Sequence, residues 1–253
     1  MIERVALVVP CFDEERRLDV EAFLRGTVGT VGGRALDLVF VDDGSKDGTR
    51  AVLESMQRRA PERVHVVAYA QNQGKAEAVR RGILHALTLS PGAVGFWDAD
   101  LATPLGELTA FVAVLEARPE VDIVMGSRVQ LMGRHIARNP WRHYSGRLFA
   151  TAASTVLGLP VYDTQCGAKL FRVTPLLPSI FATPFVASWI FDVEILARFL
   201  STDPGGPEHV ASSLYELPLD EWIDVRGSKL RTKDFARAAL DLARIRATYR
   251  MKA

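Results

Sequence analysis

Short β-rich runs alternate with helical patterns along the first half of this chain, and that alternation restricts its fold more than any other feature. Residues 5–9, 36–41, 64–67, 94–97 and 121–125 read as strands, and helical periodicity occupies residues near 19–30, 47–60, 74–89 and 104–117. A helix between two strands acts as a crossover. The pattern therefore predicts an α/β fold, a mostly parallel, doubly wound sheet with helices on both faces. Ligands of such sheets collect beyond the carboxyl ends of the strands. The acidic residues fall at those ends: Asp13, Glu14 and Glu15 after the first strand, Asp42 and Asp43 after the second, Asp98 and Asp100 after the fourth.

After Gly126 the alternation loosens into a basic and aromatic stretch from Arg128 to Arg147, helices near 145–157 and 190–201, an exposed loop at 201–207, and a strand-like run at 213–219. No repeat and no clean linker divides the 253 residues, which predicts one domain over 1–253. A net charge of +1 gives no reason to expect nucleic acid as a partner. With two cysteines, Cys11 and Cys166, and no secretory leader before Val5, the expectation is a reduced protein of the cytoplasm. The longest uncharged stretch, 175–191, is broken by Pro178 and Pro184 and is too short to span a bilayer.

Asp98 and Asp100 stand one residue apart at a strand end, where an extended backbone turns both carboxylates to one face. Such a pair suits one hard cation and the phosphate oxygens it carries; Mg²⁺ or Mn²⁺ fits an all-oxygen site, and no His or Cys cluster points to zinc. A dinucleotide fold would need Gly-X-Gly-X-X-Gly after the first strand, and a nucleotidyltransferase a glycine-rich, arginine-bearing loop; Pro10-Cys11-Phe12-Asp13 provides neither.

Four ordered segments, Val8-Val9-Pro10-Cys11-Phe12-Asp13-Glu14-Glu15, Val41-Asp42-Asp43-Gly44-Ser45, Asn72-Gln73-Gly74-Lys75 and Asp98-Ala99-Asp100, resemble the signatures of inverting family 2 glycosyltransferases of the GT-A fold. Within that family, Asp163-Thr164-Gln165-Cys166-Gly167-Ala168-Lys169, Trp189-Ile190-Phe191-Asp192-Val193-Glu194 and Gly227-Ser228-Lys229-Leu230 resemble the dolichyl-phosphate β-glucosyltransferases. The resemblance implies a nucleotide-sugar-binding half at 1–126, an acceptor-side half at 127–232 with a short antiparallel elaboration, and a basic amphipathic helix at 233–253. It also implies transfer of glucose from UDP-glucose to a polyprenyl phosphate, with release of UDP. Ala102, where the sister mannosyltransferases often carry Gln, leans toward glucose over GDP-mannose.

Roles follow residue by residue. The resemblance assigns the cation to Asp98 and Asp100, donor contacts to Pro10, Asp13, Glu15, Asp42, Asp43, Lys75, Gln165, Lys169 and Lys229, and the acceptor phosphate to Arg128, Arg142 and Ser145, with Arg134, Arg138 and Arg147 as alternatives. Asp192 occupies the place of the candidate catalytic base; a phosphate acceptor, ionised near neutral pH, needs none, whereas a saccharide hydroxyl does. From Asp234 to Arg250 a helix carries Phe235, Ala238, Leu242, Ile245 and Tyr249 along one stripe. That stripe either packs on the core or lies peripherally on an anionic leaflet at the cytoplasmic face of a membrane. A soluble-saccharide transferase and a donor-binding scaffold without turnover are the other readings of this chain.

Overall fold

The β-branched runs form strands where their pattern placed them: β1 (Arg4–Cys11), β2 (Ala35–Asp42), β3 (Val64–Ala68), β4 (Ala93–Trp97) and β5 (Ile123–Ser127). Between them lie α1 (Val20–Val28), α2 (Thr49–Arg59), α3 (Lys75–Leu87) and, after a 3₁₀ turn at Leu105–Glu107, α4 (Leu108–Ala117). The second half adds β6 (His135–Ala137), α5 (Pro140–Leu157), β7 (Ala168–Arg172), α6 (Leu177–Phe181), α7 (Phe191–Thr202), α8 (Gly206–Ser213), β8 (Leu214–Pro218), β9 (Glu221–Ile223) and α9 (Thr232–Thr248). This computed structural model describes residues 2–28, 30–137, 140–223 and 232–249, and of these only the backbone for 140–145 and 232–236.

Seven strands form one sheet in the order β3-β2-β1-β4-β7-β5-β8. All neighbours run parallel except β7, which is antiparallel to both β4 and β5. The antiparallel element is thus no appendage; it lies inside the main sheet. The separate two-stranded sheet of β6 and β9 is parallel. Reversing β7 carries its amino end, with the loop 163–167 before it, to the edge where β4 and β5 end, since Ala168 is in register with Trp97.

Both faces of the sheet are covered, which explains why the strand sequences are continuously apolar. Val8, Val39, Val41, Phe96 and Phe171 pack on one side with Val79, Ile83, Phe181 and Phe191; Leu7, Leu38, Phe40 and Trp97 pack on the other with Phe23 and Phe111. Cys11 and Cys166 are core residues, and burial raises both thiols, Cys166 to about 11.

Two expectations change. The helix placed near 145 begins at Pro140, a residue suited to a first helical turn because its missing N–H would have no helical acceptor there. The stretch 201–207 is only partly loop: α7 runs to Thr202 and α8 begins at Gly206. Of the two uses open to the α9 stripe, the described residues show packing: Ala238, Leu242 and Ile245 are buried. Among the described residues no helix is long and apolar enough to cross a membrane.

Candidate active site

At the carboxyl edge of the sheet, the turns after β1 and β2 lock together through acidic side chains and backbone N–H groups. Asp13, in a left-handed conformation (φ 55°), accepts the Lys46 N–H at 2.8 Å, and its own N–H donates to Ser45 Oγ. Glu15 accepts the Gly48 N–H at 3.0 Å. Asp42, buried, accepts the Ser45 N–H at 3.0 Å. Asp43, also buried, accepts the N–H groups of Gln73 and Gly74, each at 2.8 Å, and so fixes the entry to α3. Gly44 is required here: its φ is +71°, and a Cβ would lie 2.7 Å from the backbone of Gln71 and Asn72.

This arrangement gives Asp43 and Lys169 partners within the protein and places Pro10 inside a strand. Asp43 shapes the α3 entry loop with both oxygens, each of which keeps a lone pair able to accept from a donor. Pro10 lies within β1, opposite Val41 and beyond the Val8–Phe96 end of the β1–β4 ladder, where its lack of an N–H is tolerated. Lys169, buried to 1% exposure, donates its three N–H groups to the carbonyls of Thr164 (2.9 Å) and Cys166 (2.7 Å) and to Asp192 Oδ1 (2.5 Å). An ammonium has three donors, so Lys169 has none left for a sugar or diphosphate. It is a strut between the 163–167 loop and the first turn of α7.

Around the end of β4 the predicted residues do converge. Lys75, the first residue of α3, donates to Asp98 Oδ1 at 2.5 Å. Partial burial opposes its charge, but Asp98, Asp192 and Asp100 outweigh that effect and raise its pKa. Asp98 rests against Gly167, where any Cβ would collide with its carboxylate, and its N–H donates to the Gly167 carbonyl at 3.0 Å. Asp100 has its pKa raised by burial and then by the neighbouring Asp98 charge. Two crowded carboxylates of this kind favour a cation between them. Among the described residues no three His, Cys, Asp or Glu side chains form a complete cage. A cation here would complete its shell with water and ligand oxygens, a habit of Mg²⁺ and similar hard ions.

Beyond β5 stands a second, positive pole. Arg128 forms a bidentate pair with Asp163, Nε to Oδ2 and Nη2 to Oδ1, both 2.7 Å, and its guanidinium lies 5.4 Å from the centre of the Trp222 ring. Burial works against its charge, and Asp163 more than compensates, raising its pKa. Arg147 sits 3.5 Å over the Tyr162 ring and donates to the Tyr162 carbonyl at 3.0 Å. Arg128, Arg147, Asp163, Thr164 and Gln165 line a cavity of ≈ 40 Å³. Thr164 Oγ1 and Gln165 Nε2 are buried in that wall with no hydrogen-bond partner among the described residues.

Arg142 and Ser145 lie on α5 with side chains outside the description, and Arg138 and Lys229 lie outside the described residues. The sequence gives Arg147 only as an alternative, Asp163 and Thr164 only as members of a motif without a role, and Glu216 no role. The first three were visible as a basic residue near a polar Asp-Thr-Gln run; Glu216, a lone acid inside β8, was visible as a charge within a strand.

Glycosyl transferase family 2 matches residues 6–177 of the chain. A dolichyl-phosphate beta-glucosyltransferase of Drosophila melanogaster is 32% identical over 248 residues, covering 89% of this chain and 69% of that protein. A protein of the same name from Trichomonas vaginalis, ALG5C, is 30% identical over 96% of this chain and 71% of its own length. Glucosyl-3-phosphoglycerate synthase from Mycobacterium tuberculosis, solved with Mn²⁺, UDP-glucose and phosphoglyceric acid, superposes with a TM-score of 0.66 at 16% identity, covering 99% of this chain and 81% of that one. That likeness identifies the architecture as the GT-A fold. With a family match over most of the chain and the acidic and basic poles at one sheet edge, the chain belongs to glycosyl transferase family 2 and is a glycosyltransferase.

Proposed function

We propose that this protein transfers glucose from UDP-glucose to a polyprenyl phosphate, in one in-line displacement that inverts the anomeric carbon and releases UDP. The observation that carries this reading is the Arg128–Arg147 cavity, whose wall contains two polar atoms, of Thr164 and Gln165, that have no hydrogen-bond partner among the described residues. Guanidinium groups and orphan polar side chains in one small concavity suit the oxygens of a phosphate. The names of the relatives, dolichyl-phosphate beta-glucosyltransferases, support the same acceptor class.

The donor belongs at the acidic pole. Asp42 and Asp13 are acceptors for base N–H and ribose hydroxyl groups, and Lys75 provides a positive charge for the diphosphate at the amino end of α3. Asp98 and Asp100 would hold a divalent cation, which when bound supplies Lewis-acid stabilisation to the departing diphosphate. Lys75 then exchanges part of its pairing with Asp98 for the diphosphate. The bound donor and acceptor are brought together by the Gly167–Asp98 contact, which joins the two poles through one short loop.

A phosphate nucleophile is largely ionised at neutral pH and needs no proton removed. Asp192, held by Lys169, therefore acts by orientation and charge and not as a base. The decisive experiment is mass spectrometry of products after offering UDP-glucose and GDP-mannose separately to farnesyl phosphate with Mg²⁺ or Mn²⁺. A hexosyl lipid phosphate from UDP-glucose is the expected result; the same product from GDP-mannose alone would refute the donor, and a product only with saccharide hydroxyls would refute the acceptor.

A further inference from the structure

The 162–167 loop, which supplies Tyr162, Asp163, Thr164 and Gln165 to the cavity wall, is clamped from two sides by charged side chains. On one side Lys169 collects its carbonyls, those of Thr164 and Cys166. On the other, the Glu216 carboxylate of β8 collects its N–H groups: Oε2 accepts Tyr162 N–H and Oε1 accepts Asp163 N–H, each at 2.7 Å. Those two residues are the ones that hold the arginines. Asp163 fixes Arg128 through both carboxylate oxygens, and Tyr162 offers Arg147 its ring and its carbonyl.

A carboxylate is a costly choice for the inside of a strand, and Glu216 is partly buried, with burial raising its pKa. Its two oxygens face two converging backbone donors, a geometry that no other side chain of similar size reproduces. Glutamine has one acceptor oxygen, so its NH₂ would face an N–H and one of the two bonds would be lost. We infer that Glu216 is a positioning residue for acceptor binding: it fixes the 162–163 backbone, and through Asp163 and Tyr162 it holds Arg128 and Arg147 apart at the spacing the acceptor phosphate requires. The inference rests on the reading of the cavity as the acceptor phosphate site. Glu216 itself does not touch the acceptor; its effect passes through the two arginines.

The test is isothermal titration of wild type and Glu216→Gln with farnesyl phosphate, with inorganic phosphate, and with UDP plus Mg²⁺, alongside steady-state kinetics. Farnesyl phosphate and inorganic phosphate should each bind about tenfold more weakly to the variant, the loss expected for one misplaced charge-assisted hydrogen bond. UDP affinity should stay within about twofold, since no donor residue pairs with Glu216, and the acceptor KM should rise more than kcat falls. In an Arg147→Met background the same substitution should weaken phosphate binding by less than about threefold, because the part of its effect exerted through that arginine is already gone and only the part through Arg128 remains. Should Glu216→Gln not fold, Glu216→Asp, which keeps two oxygens on a shorter arm, takes its place with the same direction of effect.

Wild-type phosphate affinity in the folded variant would overturn the role of Glu216 while leaving the cavity reading intact. Equal losses of phosphate and UDP binding, or full additivity with Arg147→Met, would overturn it also, by showing a general distortion. A wild-type protein that binds neither phosphate would overturn the cavity reading itself.

Discussion

Replacing Lys169 by methionine separates two accounts of this residue, a direct donor contact and a buried strut. Methionine keeps the length and apolar stem of lysine and deletes the ammonium. The structure then leaves two carbonyls, Thr164 and Cys166, and the Asp192 carboxylate, 6% exposed, without their common donor. Breaking a buried ion pair from one side costs about 3–5 kcal/mol, since an uncompensated charge stays behind. For a chain of this size that corresponds to a fall in Tm of about 6–20 °C. The double variant Lys169→Met/Asp192→Asn should recover about 1–3 kcal/mol, because the abandoned charge is removed with its partner. Denaturant melts of the wild type, Lys169→Met, Asp192→Asn and the double variant measure both numbers. A direct sugar or diphosphate contact makes the opposite forecast, a raised donor KM with stability nearly unchanged. A Lys169→Met loss under about 1 kcal/mol, or a double variant no more stable than the single one, would refute the strut.

Chelation of divalent cations should stop transfer and Mg²⁺ or Mn²⁺ restore it, whereas Asp100→Asn should lower kcat by about 100-fold or more and resist rescue by added metal; unimpaired turnover in chelator sinks the cation assignment. Glu77 has its pKa lowered, chiefly by the Arg80 hydrogen bond and further by Arg81, and Arg80 in turn donates to the carbonyls of Phe181 and Ala182 at the end of α6. Its stabilising contribution is full above the unfolded value of 4.5 and is lost as pH falls through the lower folded value. Glu77→Gln should therefore cost about 1–2 kcal/mol at pH 7 and much less near pH 3, read by denaturant melts at both. Tyr249→Phe removes the hydroxyl that donates to the fully buried Glu194 at 2.7 Å and accepts from Arg198 at 3.0 Å, so it should cost about 1–3 kcal/mol while leaving UDP affinity unaltered in the same titration.

The alternation of apolar runs and amphipathic helices determined the α/β class and the first five strands, because patterning of that kind records local burial and little else. The acidic strand ends were equally legible: Asp42, Asp98 and Asp100 stand at the carboxyl edge because a parallel sheet leaves them nowhere else to go. Strand β7 was not legible, since Ala-Lys-Leu-Phe-Arg contains two cations and reads as surface. Only the tertiary structure supplies the carbonyls and the Asp192 carboxylate that let Lys169 be buried there. The motif around Asp163 could be seen as polar, yet nothing in its order showed that Asp163 faces Arg128 or that Glu216, 53 residues later, holds its N–H. Local sequence records which groups want water and which do not; which buried charge meets which partner is a long-range fact, decided when β7 reverses between β4 and β5 and brings both poles of the site to one edge.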